Sequence, residues 1–399
     1  MKKIFIQTLS YRPEHTPIAN RISSFVNSLL KDNWYVEILT MNYENCEEEK
    51  IVEQENLKII YSKHHIYKKK NVLNRLKLEL EFYFITKKYI SKNKNSFDYV
   101  LVSSPNLIPT YAGLYGKNKY KAKLVFDVRD IWPDVAIEMN SFGKNSIYSM
   151  AFNFISNRLY KCADIITTVS PGKVIKIKNK LKKEKNKVCL VENGFDDTML
   201  NCNYDDEFSS KFKIKDYFTF CFCGKIGMAQ GLDKVILLAN HFRYNSNVRF
   251  IIAGDGVEKD KIKQHIEQQK LKNIVFTGVV SFDQVKTILT DSSVALVPLK
   301  TKNMKDSVPT KLYESLAFGC PTLLVAAGDA CDILDESHCG IHVNPGDDEG
   351  LINAANQLYT NHSEFVKRKD KAIESILKNH LRSTASKKFI EILNGGIVL

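Results

Sequence analysis

Apolar residues along the chain recur in short, nearly continuous runs, separated by stretches with helical spacing or by turn residues. In the first half the runs fall at 3–8, 35–40, 57–61, 99–103, 123–128, 165–169 and 188–192, and each predicts a strand. Helical spacing over 20–30 and 147–160 separates several of them. Strands that are apolar on both faces and alternate with helices predict a parallel sheet covered on both sides. The stretch 201–210 is polar, locally acidic and turn-rich, as a linker would be. A second set of apolar runs occupies 218–223, 248–253, 274–277, 294–299, 322–325 and 341–343, with helical spacing over 233–239 and 259–268. The tail from 363 to 393 reads as helical. The pattern predicts an α/β protein of two Rossmann-like domains facing across a cleft. Their expected limits are 1–200 and 201–375, with a C-terminal helix at 376–399 crossing back to the first domain.

One segment breaks the order. Residues 71–85 mix helix and strand periods between lysine clusters. Read as a helix, Leu73, Leu76, Leu80 and Phe84 form a stripe with basic flanks that could rest on an anionic bilayer. A core-packing helix with solvated lysines is the alternative.

Length and composition fit this picture. At 399 residues two domains are the default, and 44% hydrophobic with 26% charged residues is ordinary for a soluble globular chain. No apolar run is long enough to span a bilayer, and the start of the chain reads as a buried strand in place of a signal peptide. The nine cysteines are scattered, which suits reduced thiols in a cytosolic protein. Cys221 and Cys223 flank Phe222 in a strand, so they share a sheet face and form no metal knuckle. The net charge of +13 suits an anionic partner: a nucleotide, or an acidic membrane face. No nucleic-acid signature accompanies it, so nucleic acid is not expected.

Candidate chemistry sits on loops that follow strands. The most informative runs Ser307-Val-Pro-Thr-Lys-Leu-Tyr-Glu314 and exits through Gly319 and Pro321. A helix start beyond the carboxyl end of a parallel strand is where such sheets meet anionic ligands; a plain crossover helix is the other reading. Lys311 adds a point charge for phosphate, and Glu314 is placed to hold a ribose diol by charge-assisted hydrogen bonds. Gly224-Lys225-Ile-Gly227-Met-Ala-Gln230-Gly231 is a second strand-to-helix loop, and Gly254-Asp-Gly256 allows close backbone approach. In the first domain, Arg129 and Asp130 follow a strand, and Asp130 could orient or deprotonate an acceptor hydroxyl. His15 stands in a loop before the first helix. No carboxylate pair has the spacing for a nucleotide-bound divalent ion, so no metal is implied.

These motifs, in this order, resemble glycosyltransferase family 4, retaining enzymes of the GT-B fold, and within it the bacterial O-antigen and capsule transferases, including the N-acetylfucosamine transferase type. The similarity runs from the Tyr-x-Pro-Glu loop near the start through Asp127-Val-Arg-Asp-Ile-Trp-Pro-Asp134 and Val191-Glu-Asn-Gly-Phe-Asp196 to the loops above. It implies a nucleotide-sugar donor on the second domain, contacted by Gly224, Lys225, Gln230, Gly256, Thr310, Lys311, Leu312 and Glu314. It also implies an acceptor on the first domain near His15 and Arg129. Catalytic positions would be Asp130, Asp306 and Glu314; Asp306 stands where the family carries a glutamate, and Gln230 where it carries a second cation. The expected donor is UDP-linked, with an N-acetylated deoxyhexosamine as a candidate sugar. The expected acceptor is a lipid-linked saccharide at the inner face of the membrane, with no cofactor. An epimerase or hydrolase of the same fold, or a non-enzymatic polyanion-binding protein, are the other classes.

Overall fold

The computed structural model describes residues 1–14, 16–67, 72–138, 142–181 and 183–396. The chain forms two compact units: Met1–Asn193 with Ser383–Leu399, and Gly194–Arg382. His15 and the lysine cluster 68–70 lie outside the described residues.

Unit 1 is built on β1 (Lys3–Gln7), β2 (Tyr35–Met41), β3 (Lys50–Gln54), β4 (Leu57–Ser62), β5 (Tyr99–Ser104), β6 (Lys123–Val128), β7 (Ile165–Thr168) and β8 (Val188–Leu190). Their order in the sheet is β3-β4-β2-β1-β5-β6-β7-β8. All neighbours are parallel except β3, which pairs antiparallel with β4. The helices are α1 (Pro17–Lys31), α2 (Val72–Lys92), α3 (Leu107–Thr110), α4 (Ala112–Tyr120), α5 (Asp134–Glu138), α6 (Ile147–Cys162) and α7 (Pro171–Lys180). Strand alternation divides the core. Phe5, Val100, Val102 and Phe126 face α2 and α6, while Ile4, Ile6, Leu101 and Val125 face α1.

The segment 71–85 belongs to α2, a helix of 21 residues. Leu76 turns inward against the core, whereas Leu73, Leu80 and Phe84 stay exposed. The tail is not one helix. His362–Val366, Lys369–Asn379 and Arg382–Leu393 are separate, and the last packs on the α1 face of unit 1. Phe389 stacks on Phe25 at 4.2 Å between ring centroids, and the Tyr99 hydroxyl donates to Leu393 O at 2.5 Å. Such a stacked pair adds about 0.5–1.5 kcal/mol beyond its buried area.

Unit 2 contains β9 (Phe218–Cys223), β10 (Val248–Ala253), β11 (Ile274–Gly278), β12 (Val294–Pro298), β13 (Thr322–Val325) and β14 (Gly340–Val343). The sheet order is β11-β10-β9-β12-β13-β14, all parallel. Its early helices are α8 (Asp206–Phe212), α9 (Asp233–His241), α10 (Lys259–Gln268), α11 (Phe282–Asp291) and α12 (Thr310–Ala317). The chain runs outward from β9 to β11, then restarts at β12 on the other side. That reversal makes β9/β12 the topological switch point.

The stretch 201–210 does not separate the units. Asn203 N donates to Asp283 and Asp205 N to Thr287, which tie it to α11. The division falls at Asn193/Gly194, seven residues earlier than the expected limit.

Candidate functional site

The β9/β12 switch point organises the residues around Lys311. β9 ends at Cys223, and Gly224 follows with φ +132°. β10 ends at Ala253, and a Cβ on the next residue, Gly254, would lie 2.0 Å from Gly224 O. Two hydrogen bonds hold the loops together: Gly224 N to Ala253 O and Ile226 N to Asp255 O, each 2.8 Å. Gly256 continues this close approach against the Ile226 carbonyl.

α12 begins beside these loops. Pro309 occupies the N-cap, and no side chain caps the helix. Proline has no N–H to satisfy, so Thr310 and Lys311 stand first among the donors of the opening turn. The side chain of Leu312 is fully buried, and its amide donates to Pro309 O at 3.0 Å. It shapes the turn from within.

Lys311 runs back across Gly224. Its Nζ lies 4.5 Å from the centroid of Phe222 and donates to the side-chain oxygen of Gln230. Burial pushes its ammonium down to about 8, against the opposing pull of Glu314. Gln230 therefore does not supply a second cation; it anchors the first. Lys225 is exposed and makes no ion pair among the described residues. These two lysines thus differ in kind: Lys311 is enclosed and Lys225 is exposed.

Glu314 follows one turn after Thr310. Burial raises its carboxyl above the ordinary range, while Lys311, Arg382 and a hydrogen bond from Thr310 pull it back. Asp196 opposes them. Arg382 pairs with Asp196, and the chain segments carrying them are laced together. Phe195 N donates to His380 O at 2.7 Å, and Arg382 N donates to Phe195 O at 2.8 Å. Gly194, at φ +60°, permits that approach: a Cβ there would meet His380 O at 2.6 Å. Sequence reasoning quoted the motif ending in Asp196 but gave it no role, and missed Arg382 altogether.

Asp306 lies on the loop between β12 and α12 and is 6% exposed. The neighbouring Lys305 O accepts from Asp329 N at 2.9 Å, which fixes that part of the loop.

In unit 1, Arg129 and Asp130 stand directly beyond the carboxyl end of β6. One residue inside that end, Asp127 is fully buried. Burial alone would raise its carboxyl, but Arg21, Thr167 and Ser103 hold it below the ordinary range. Arg21 Nη2 reaches Asp127 at 2.8 Å, and its Nη1 donates to Glu192 O at 3.0 Å. This buried pair, which sequence reading overlooked, ties α1 to the carboxyl end of β6 and to the segment that follows β8. An arginine on the apolar face of α1 was the available signal. His15, the expected acceptor contact, is outside the described residues. Among the described residues, no group of three or more His, Cys, Asp or Glu is arranged to hold a metal ion.

Comparison with known proteins fits this geometry. Residues 203–376, most of unit 2, match the family described as Glycosyl transferases group 1. The 2-deoxystreptamine N-acetyl-D-glucosaminyltransferase of Niallia circulans is 22% identical over 75% of each chain. Sucrose-phosphate synthase from Thermosynechococcus elongatus superposes with a TM-score of 0.82 at 12% identity, covering 99% of both chains. The Anabaena protein HepE, solved in complex with UDP-glucose, gives 0.73 at 13% identity over 99% of this chain and 100% of its own. At such identity the structural likeness establishes the fold, GT-B, with its two Rossmann-like units.

Proposed function

We propose that the chain is a retaining glycosyltransferase. It moves a sugar from a UDP-linked donor to a hydroxyl of a lipid-linked saccharide in bacterial surface-polysaccharide synthesis, at the inner face of the membrane. An N-acetylated deoxyhexosamine is the sugar this reading favours. The observation that carries it is the enclosed Lys311, laid across Gly224 with Glu314 one turn behind it at the β9/β12 switch point.

In this reading Lys311, Lys225 and the open start of α12 stabilise the leaving diphosphate, and no metal is needed. Glu314 accepts from the two ribose hydroxyls. The acceptor oxygen forms its bond to the anomeric carbon as the bond from that carbon to the diphosphate oxygen breaks. The electron pair passes to the diphosphate, which takes the acceptor proton, so the products are a glycoside and a nucleoside diphosphate. Asp130 orients the acceptor hydroxyl, with Arg129 beside it, and Asp306 contacts the donor sugar. The GT-B fold, the group 1 match over unit 2 and a UDP-glucose-binding neighbour support this reading.

Isothermal titration with UDP and transfer assays on lipid-linked acceptors test it. UDP binding that Glu314→Ala weakens at least tenfold is expected. Full transfer with unchanged UDP affinity in that variant overturns the assignment.

A further inference from the structure

Unit 1 has a topological switch point of its own. From β1 the chain works outward to β2, β4 and β3, then restarts at β5 on the other side of β1. The crevice beyond the carboxyl ends of two such strands is where an open α/β sheet takes a ligand. Gln7 closes β1 and Ser104 closes β5. Gln7 is in register with Val102, so Gln7, Val102 and Ser104 share the sheet face that α2 covers.

Buried polar atoms gather there without partners. Gln7 is 2% exposed, Ser104 1% and Glu79 of α2 3%. Gln7 Oε1, Ser104 Oγ and Glu79 Oε2 complete no hydrogen bond among the described residues. Glu79 is held over the end of β5, where its Oε1 accepts from Asn106 at 2.7 Å and from Arg75 at 3.3 Å. The Arg75 guanidinium lies 5.6 Å from the ring of Trp132, whose Nε1 is likewise buried without a partner among the described residues. Burial pushes the Glu79 carboxyl up, while Arg75, Asn106 and the Ile108 amide pull it down. The opposite face of the same strands is different. There Ser103 donates to Asp127 at 2.9 Å, Thr167 donates to it at 2.7 Å, and Arg21 pairs with it at 2.8 Å. Leaving a buried polar group unpaired is unfavourable, so several at one strand end are held against the stability of the fold, as at a ligand site.

We propose that Glu79, with Gln7, Ser104 and Trp132, binds the terminal pyranose of the saccharide acceptor, and that Glu79 selects that sugar by accepting from one of its hydroxyls. The set fits hydroxyl groups, each of which both donates and accepts. Glu79 Oε2 and Gln7 Oε1 accept, Trp132 Nε1 donates, and Ser104 does either. An ionised phosphate fits poorly, since it brings no proton to two acceptor oxygens and is repelled by the carboxylate. Arg75 is exposed, and Asn106 and Trp132 are partly so, which makes them the rim through which the ring enters. The Trp132 ring offers an apolar face to the C–H side of a pyranose. Arg129 and Asp130 follow the next strand, β6, so the sugar lies one strand from the residue assigned to orient the reacting hydroxyl. None of the motifs that carry the family resemblance contains Glu79. Calling this sugar the acceptor rests on the transferase reading; its binding does not.

The test is saturation-transfer NMR on the full chain with a panel of methyl glycosides: the α and β anomers of D-glucoside, D-galactoside, D-mannoside and N-acetyl-D-glucosaminide. Saturation of at least one of them, with or without UDP, is expected. Its dissociation constant should rise about tenfold or more in Glu79→Gln, and roughly threefold or more in Ser104→Ala. Thermal unfolding is the second readout. The Ser104 hydroxyl has no partner to lose, so Ser104→Ala should melt no lower than the parent chain while it binds the glycoside less well. A panel in which no glycoside is saturated, or binding that both variants retain, overturns the proposal. So does a lowered melting temperature in both variants with binding lost only in proportion to unfolded protein, which would assign these groups to the fold alone. UDP affinity should be unchanged in both variants. A chain that binds glycoside and not UDP sinks the transferase reading and leaves this crevice standing, whereas one that binds UDP and no glycoside does the reverse.

Discussion

The side chain of Lys311 occupies the space that a Cβ on Gly224 would need, with Cε 2.4 Å from that point. Position 224 also has φ +132°, which L side chains rarely adopt. Gly224→Ala should thus displace the lysine and strain the β9 exit, costing about 1–3 kcal/mol of stability. UDP affinity should fall at least tenfold. Calorimetric titration beside thermal unfolding separates the two effects, and a variant with normal UDP binding would refute the coupling.

The lysine's depressed proton affinity gives donor binding a pH dependence. With the ammonium titrating at about 8, it is charged at pH 7 and loses its proton as pH rises beyond that value. A diphosphate requires the charged form, so above pH 8 a proton must be taken up on binding. UDP affinity should fall by up to about tenfold per pH unit there. In Lys311→Met this slope should vanish, together with most of the affinity. Titrations from pH 7 to 9 provide the check.

Arg382 acts on Glu314 through charge, so its loss has a direction. The guanidinium favours the ionised carboxylate and lowers a pKa that burial raises. Removing it should raise the carboxyl further, and the acid limb of the transfer profile should move to higher pH. Activity lost in Arg382→Gln at pH 6 should recover partly by pH 8. A uniform loss at all pH values would assign Arg382 a merely structural part.

The Arg21–Asp127 pair should be costly to break. Asp127→Asn leaves a buried guanidinium without its counter-ion, which costs about 3–5 kcal/mol. Replacing both partners by apolar residues should restore much of that loss. The folded carboxyl sits below its ordinary value, so its contribution is present above the unfolded pKa and lost as pH falls through the folded one. Acid unfolding of Asp127→Asn should therefore be shallower than that of the parent chain.

Much of the scaffold was legible because its strands are buried on both faces and read as apolar runs. β3 was not, since Lys50, Ile51, Glu53 and Gln54 are exposed and only Val52 is partly covered. Its place on the sheet edge comes from antiparallel pairing with β4, which leaves no apolar period. Lys311 and Glu314 stood out because a helix start after a strand is a local pattern. Arg382 did not, because its partner Asp196 lies 186 residues away and the two meet only through the Phe195 bridge. The role of Gln230 was equally hidden: sequence shows a missing cation, while the structure shows an acceptor for the cation that remains.

The C-terminal helix makes unit 2 an insertion within unit 1, entered after Asn193 and left before Ser383. A nascent chain emerges from the ribosome in that order, so unit 2 is complete before unit 1 has its last element. Until then Ile22, Phe25 and Leu101 lack the cover of Phe389 and Ile390. A premature stop before Ser383 thus leaves this apolar face of unit 1 without Phe389 and Ile390, open to chaperones or aggregation.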